Sequence, residues 1–178
     1  MEENIMNPYL RRAKFEDLTE IMDIIDDGRK ALEKNGIPQW KDGDGPSHDI
    51  FLEDIKNQEA YVMILNKKII GIASIISKPE APYKTIENGK WDETQNSYVS
   101  IHRVAIDTSI KGKGLSNKLL ELLINTASIL GYIDIRIDTH PKNLIMQRVI
   151  KNAGFVEKGD ILLPVKNGER KAFQLILD

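Results

Sequence analysis

The sequence predicts a single α/β domain. Three observations lead there. The chain has 178 residues, the size of one domain. Segments in which apolar residues alternate every two positions are interleaved with segments in which they recur every three or four. No internal repeat, low-complexity tract or linker divides the chain, so one domain is expected over residues 1–178. A domain of this size buries roughly 70% of its extended-chain surface and needs no covalent staple.

The elements follow in order. Tyr9–Ala13 reads as a short first strand. Phe15–Lys34 reads as a helix, because Leu18, Ile21, Met22, Ile25 and Leu32 recur at spacings of three and four and Glu16 and Asp17 suit its N-terminal dipole end. Gly36 and Pro38 stop it, and residues 36–46 form a loop by their glycines and prolines. Ser47 caps a second helix to about Asn57, with Ile50, Phe51 and Ile55 on one face. Glu59–Leu65 and Lys68–Ile76 are strands joined by the two-residue turn Asn66-Lys67. Residues 78–96, polar and with two prolines, read as a long loop, and a long loop in a compact domain is more often functional than idle. Ser97–Ile106 is a β-branched strand, followed by a glycine-rich turn at Lys111–Gly114. Leu115–Leu130 is a helix with Leu115, Leu119, Leu123, Ala127 and Leu130 on its core side. Gly131 ends it. Tyr132–Thr139 alternates Ile133, Ile135 and Ile137 with Asp134, Arg136 and Asp138. Asn143–Ala153 is a helix closed by Gly154, and Val156–Leu163 and Lys171–Leu177 are the last strands.

Composition excludes several function classes. With 25 Lys+Arg against 27 Asp+Glu, the chain lacks the basic excess of a protein that binds nucleic acid through phosphates. Having no cysteine, it has no disulfide framework, thiolate nucleophile or Cys-ligated metal. Three scattered histidines do not suggest a metal site. No apolar run approaches the 18–20 or so residues of a membrane span. The opening Met1-Glu2-Glu3-Asn4 is acidic where a secretory leader is basic and then apolar. The expected location is the cytoplasm.

The chemistry lies between Ser97 and Phe155. Lys111-Gly112-Lys113-Gly114-Leu115-Ser116 runs straight into a helix N-terminus. The first N–H groups of a helix lack internal partners and carry partial positive charge, and glycines let a ligand approach the backbone. Such a junction suits a phosphate or pyrophosphate. The Walker spacing is absent, and Asn117 stands where a dinucleotide fingerprint needs its third glycine.

The segment resembles the GNAT acetyltransferase superfamily. The resemblance rests on the strand end Val104-Ala105-Ile106, the 111–116 loop, Asn143, and Gly154-Phe155, in that order. Lys111 and Ser116 replace the family's Gln/Arg and Gly/Ala, keeping charge and small size respectively. The order of elements extends the likeness over nearly the whole chain. It implies a mixed, mostly antiparallel central sheet with splayed central strands, flanked by about four helices. It implies acetyl-CoA as cosubstrate and no metal. The pyrophosphate would lie on Lys111, Gly112, Lys113, Gly114, Leu115 and Ser116. The pantetheine arm would lie along Val104, Ala105 and Ile106, with Asn143 bonding to it. The Val104 N–H would polarise the thioester carbonyl as an oxyanion-type donor. Acetyl would pass directly to the amine of a small molecule or peptide. A non-catalytic acyl-CoA sensor on the same fold is the alternative reading, and an unrelated nucleotide-binding domain is a third.

The acid and base are open on these residues. Many relatives place a tyrosine seven positions after the asparagine to protonate the departing thiolate; here Ile150 stands there. A thiol of pKa near 8.5 is a tolerable leaving group without help. Strand alternation puts Tyr98, Ser100, His102 and Val104 on one face and Val99, Ile101, Arg103 and Ala105 on the other. Some relatives carry a glutamate base where Ser100 stands. His102, with a reference pKa of about 6.5, is the candidate base, against a plain half-buried histidine or a water relay past Ser100 and Tyr98. Tyr98 and Trp40 are the candidate acceptor contacts, with a hydrophobic plug as the other reading of Trp40. His140 sits at the strand end where ligands gather in α/β sheets. Acceptor specificity would reside in the 36–46 and 78–96 loops. The expected assembly, if any, is a homodimer through the C-terminal strands.

Overall fold

The computed structural model describes residues 7–94, 97–110 and 112–178. Its frame is a seven-stranded sheet built from β1 (Tyr9–Arg12), β2 (Ala60–Leu65), β3 (Lys68–Ile76), β4 (Tyr98–Ile106), β5 (Asp134–Thr139), β6 (Val156–Leu162) and β7 (Glu169–Ile176), in the order β1-β2-β3-β4-β5-β7-β6. All neighbours are antiparallel except β4 and β5. That is the mixed, mostly antiparallel sheet the resemblance implies. Asn66 and Lys67 form the β2–β3 turn at φ +49 and +67, a pair of left-handed residues whose twist matches the flanking strands.

Helices cover both faces. On one, α1 (Leu18–Lys34) and α2 (His48–Lys56) bury Ile21, Ile24, Ile25, Phe51 and Ile55 against Val62, Ile64 and Ile72. On the other, α4 (Leu115–Ile129) and α5 (Leu144–Asn152) bury Leu119, Leu120, Leu123 and Ile150 against Ile101, Ile135, Ile137 and Phe173. These are the four expected helices. Phe15–Asp17 is a separate 3-10 turn rather than the first turn of α1. Leu130, expected on the core side, follows the end of α4 and is exposed.

Residues 78–94 depart from the simple loop expected. Ala81–Lys84 forms a short helix, α3, with Pro82 in its first turn, and Glu87 pairs with Asp160 of the edge strand. Tyr83 stacks on Trp91 at 5.4 Å, and the Arg136 guanidinium lies 4.3 Å from the Trp91 ring and 4.0 Å from the Tyr98 ring. The Trp91 indole N–H donates to the Tyr83 carbonyl at 2.8 Å. Asp134, wholly buried, accepts from Arg136 and Gln174. So the polar face of β5 does not meet water: this segment straps over it, and cation–π stacking and charge-assisted hydrogen bonds satisfy the buried groups.

Among the described residues, no helix is long and apolar enough to cross a membrane.

Candidate active site

The site begins with a break in the sheet. β4 and β5 pair from Tyr98↔Asp134 to Ile101↔Ile137 and no further, although both strands continue. Beyond Ile101 they splay, leaving one backbone edge of His102–Ile106 open. A bulge sits at the same point. Ser74 pairs with His102 and Ile72 with Ala105, so Arg103 and Val104 stand opposite Ala73 alone, and Arg103 adopts φ +58.

The bulge changes the faces that strict alternation predicts. Through His102 the expected pattern holds. Beyond it, Ala105 packs with the α1–α2 core while Val104 and Ile106 pack against the α4–α5 core. The extra residue shifts the phase of the pleat, so His102 and Val104 do not share a face. Arg103, expected on the face of Val99 and Ile101, lies instead on the α2 side, its Nη1 3.2 Å from the Asp54 carboxylate, which also accepts from Ser74 Oγ at 2.6 Å.

A cavity of about 510 Å³ fills the splay. Its wall includes Val104, Ala105, Ile106, Ser116, Asn143, Trp40, Glu80, His102, Asp138 and Arg170. Ser116 brings the first turn of α4 to the wall; Gly114, the N-cap of α4 at φ +64, and Gly112 at φ +77 precede it and are not part of the wall. A Cβ on either would meet nothing within 4 Å, so the loop backbone faces open space. Lys113 and Leu115 flank Gly114 here; Lys111 lies outside the described residues. The cradle fits an anion: a fifteen-residue helix begins on glycines whose surroundings admit a ligand to the backbone.

Asn143 is more occupied than the sequence suggests. As N-cap of α5, its Oδ1 accepts from the Met146 N–H at 3.2 Å. Its Nδ2 lies 3.4 Å from Gln39 Oε1, which is also 3.4 Å from Thr139 Oγ1 and the His140 N–H. Gln39 thus ties the 36–46 loop to the β5–α5 corner. Trp40, at φ +64, lines the cavity and packs beside Gly28 on the α1–α2 core. Tyr98 lies outside the cavity wall, its hydroxyl accepting from the Glu80 N–H at 3.1 Å and its ring covering Arg136. Ile150 is fully buried in the core, facing away from the cavity. His140 is buried too; its Nδ1 accepts from the Lys142 N–H, and burial, aided by Arg170, pushes its pKa down.

The cavity wall also holds a cluster of charge that the sequence did not single out, apart from His102. His102 Nε2 lies 2.7 Å from Glu80 Oε2, which also accepts from Ser100 Oγ. Asp138 Oδ2 is 3.9 Å from His102 Nδ1 and accepts from the Tyr83 hydroxyl at 2.7 Å. Arg170 Nε lies 3.6 Å from the other Asp138 oxygen. Burial opposes the imidazolium, but the hydrogen bond to Glu80 and the charges of Asp138 and Glu80 outweigh it and hold the His102 pKa above its ordinary 6.5. Burial likewise opposes the Glu80 carboxylate, but His102, Ser100 and Arg103 outweigh it and the pKa falls below the ordinary value. Burial and Asp138 push the Tyr83 phenol well above its usual range. Two cues to this cluster were present in the sequence: a glutamate early in a long loop, and Asp138 at the end of an alternating strand.

A family model for the acetyltransferase (GNAT) family matches residues 22–155. The chain belongs to that family. This acetyltransferase is similar to a GNAT-family acetyltransferase from Streptococcus agalactiae 2603, with 31% identity, 98% of each chain covered and a TM-score of 0.89. A GNAT-family acetyltransferase from Listeria monocytogenes 4b F2365 shares the fold at 20% identity and a TM-score of 0.75, over 98% of this chain and 100% of that one. So does the aminoglycoside acetyltransferase AAC(6')-Ib, solved in complex with coenzyme A, at 23% identity and a TM-score of 0.69, over 96% of this chain and 95% of that one. A search of curated proteins finds no match.

Proposed function

We propose that this acetyltransferase moves acetyl from acetyl-CoA directly to an acceptor amine, with His102 as the base. One observation carries the reading: one cavity in the β4–β5 splay is lined both by Ser116, in the first turn of α4, and by Glu80, His102 and Asp138. Acetyl-CoA supplies a thioester carbonyl. The backbone of residues 112–116 holds its pyrophosphate, with Lys111 and Lys113 adding charge. The open edge of Val104, Ala105 and Ile106 holds the pantetheine arm as a strand would be held. The Val104 N–H donates to the carbonyl oxygen as charge grows there. Asn143 keeps α5 capped beside the arm and offers it Nδ2 in place of Gln39.

His102 takes the acceptor's proton, since only a free amine attacks. Trp40 lines the acceptor side, and Tyr98 serves from beneath, holding the Glu80 backbone. Ile150 is buried where many relatives have tyrosine, and the thiolate leaves unaided. A cytoplasmic location and a homodimer through the C-terminal strands complete the reading.

Titration calorimetry with acetyl-CoA and with ATP tests the cosubstrate: acetyl-CoA should bind and ATP should not. Thiol release over a panel of polyamines, aminoglycosides, amino acids and peptides tests transfer and names the acceptor. Binding without turnover of any amine would sink the enzymatic reading.

A further inference from the structure

We propose that Glu80 is the positioning residue that makes His102 a base acting through Nδ1, with Asp138 drawing the acceptor ammonium to that nitrogen. The inference rests on the acetyl-transfer reading above and deepens it.

The geometry assigns the nitrogens. Glu80 Oε2 lies 2.7 Å from His102 Nε2 and also accepts from Ser100 Oγ. An ionised carboxylate can only accept, so Nε2 carries the hydrogen and the neutral ring keeps its lone pair on Nδ1. Among the described residues, Nδ1 has no hydrogen-bond partner. Its neighbour Asp138 Oδ2 is 3.9 Å away, beyond hydrogen-bond reach, and is already bonded to the Tyr83 hydroxyl. Glu80, His102 and Asp138 all line the cavity that leads to the splay.

The carboxylate is held rather than free. Tyr98 fixes the Glu80 N–H, and the Tyr83–Trp91–Arg136–Tyr98 stack pins the segment that delivers it. Ser100 thus acquires a use. It cannot be a base, but it binds a carboxylate brought in from a different element.

In the reaction, Nδ1 takes one proton from the acceptor ammonium. The freed nitrogen lone pair forms the C–N bond at the acetyl carbon, and the C–S bond breaks with its pair on sulfur. The second N–H proton lost as the amide forms goes to the thiolate or to solvent. The imidazolium then sits between Glu80 and Asp138, as in any base held by a carboxylate at its far nitrogen. The titratable and charged groups around it are Glu80 ahead of α3, the neutral Tyr83 phenol of α3, Arg103 of β4 paired with Asp54 of α2, Asp138 of β5, and Arg170 of β7 on the far oxygen of Asp138. Two carboxylates lie nearest, which agrees with the upward direction of the His102 pKa.

The test pairs imidazole nitrogen and proton NMR of the cofactor-free protein with pH profiles of kcat/KM at saturating acetyl-CoA. In the unmodified protein, neutral His102 should be the Nε2–H tautomer, and its titration should fall above pH 6.5 and coincide with the ascending limb. Glu80→Gln should move both to lower pH and lower the plateau roughly tenfold, a fraction of the 10²–10⁴ that a positioned base contributes. A glutamate that only shapes the fold would lower the rate and leave the limb in place, which would overturn the proposal. A neutral Nδ1–H tautomer would overturn it as well, and that measurement needs no variant. If no amine is acetylated but the titration moves as stated, the transfer reading fails and the His102–Glu80 pairing stands. If transfer occurs and the titration does not move, the pairing alone fails.

Discussion

Alanine at Gly114 separates two effects that a larger side chain would merge. Gly114 caps α4 at φ +64, and a Cβ there would meet nothing within 4 Å. The substitution therefore adds left-handed strain without a clash, about 1–2 kcal/mol for an L residue. Gly131, at φ +90 just beyond the other end of the same helix, also opens onto empty space. Both alanine variants should lose similar stability, and each kcal/mol is about 2–4 °C in Tm for a chain of this length. Only one should lose acetyl-CoA. Relieving the strain at Gly114 swings the backbone that leads into the first turn of α4, where N–H groups have no helical partner. A hydrogen bond from such a group to a charged phosphate contributes roughly 1.5–3 kcal/mol. Losing one weakens affinity at least about tenfold, since a factor of ten is about 1.4 kcal/mol. Gly114→Val, with greater left-handed strain and a branch at the approach, should lose as much or more. Titration calorimetry with acetyl-CoA on the folded variants decides it. Equal affinity for Gly114→Ala and Gly131→Ala would refute the phosphate loop.

Three further outcomes follow from single side chains. Asn143→Ala removes the α5 N-cap, so thermal melts should show a loss of about 1 kcal/mol; acetyl-CoA affinity should fall less than in Gly114→Ala, and an unchanged affinity would remove Asn143 from the cofactor site. Ile150→Tyr should not speed thiolate departure, because position 150 is fully buried; overpacking should instead destabilise the fold by about 1–3 kcal/mol in denaturant melts. Asp17 is held below its usual pKa by the forked hydrogen bond from Arg11, against burial, and by the Lys14 N–H. A lowered folded pKa gives stability that is present above the unfolded value near 3.8 and is lost as pH falls through the folded one. Asp17→Asn should therefore be less stable at neutral pH and lose less further stability on acidification, as Tm against pH will show.

The elements and the glycine turn that opens α4 were legible in the sequence because they rest on local rules. Periodicity in Leu115–Ala127 and in Ile133–Ile137 records which face each element buries, and that holds whatever it packs against. The Gly112–Gly114 turn into a helix carries its chemistry in adjacent residues, so a linear motif suffices. The rest depended on contacts between residues far apart in the chain. One inserted residue at Arg103 shifts the pleat and parts Val104 from the face of His102, and alternation alone has no means of seeing a bulge. Glu80 meets His102 across 22 positions, and Tyr83 meets Asp138 across 55. Asn143 caps its own helix by a local bond, but its Nδ2 looked free for a ligand until tertiary structure brought up Gln39, 104 positions away. The polar side of β5 became a buried network because residues 80–94 closed over it. Local propensity determines which residues turn inward; which charges then stand within 3 Å of each other is set only when the strands pair and the strap closes.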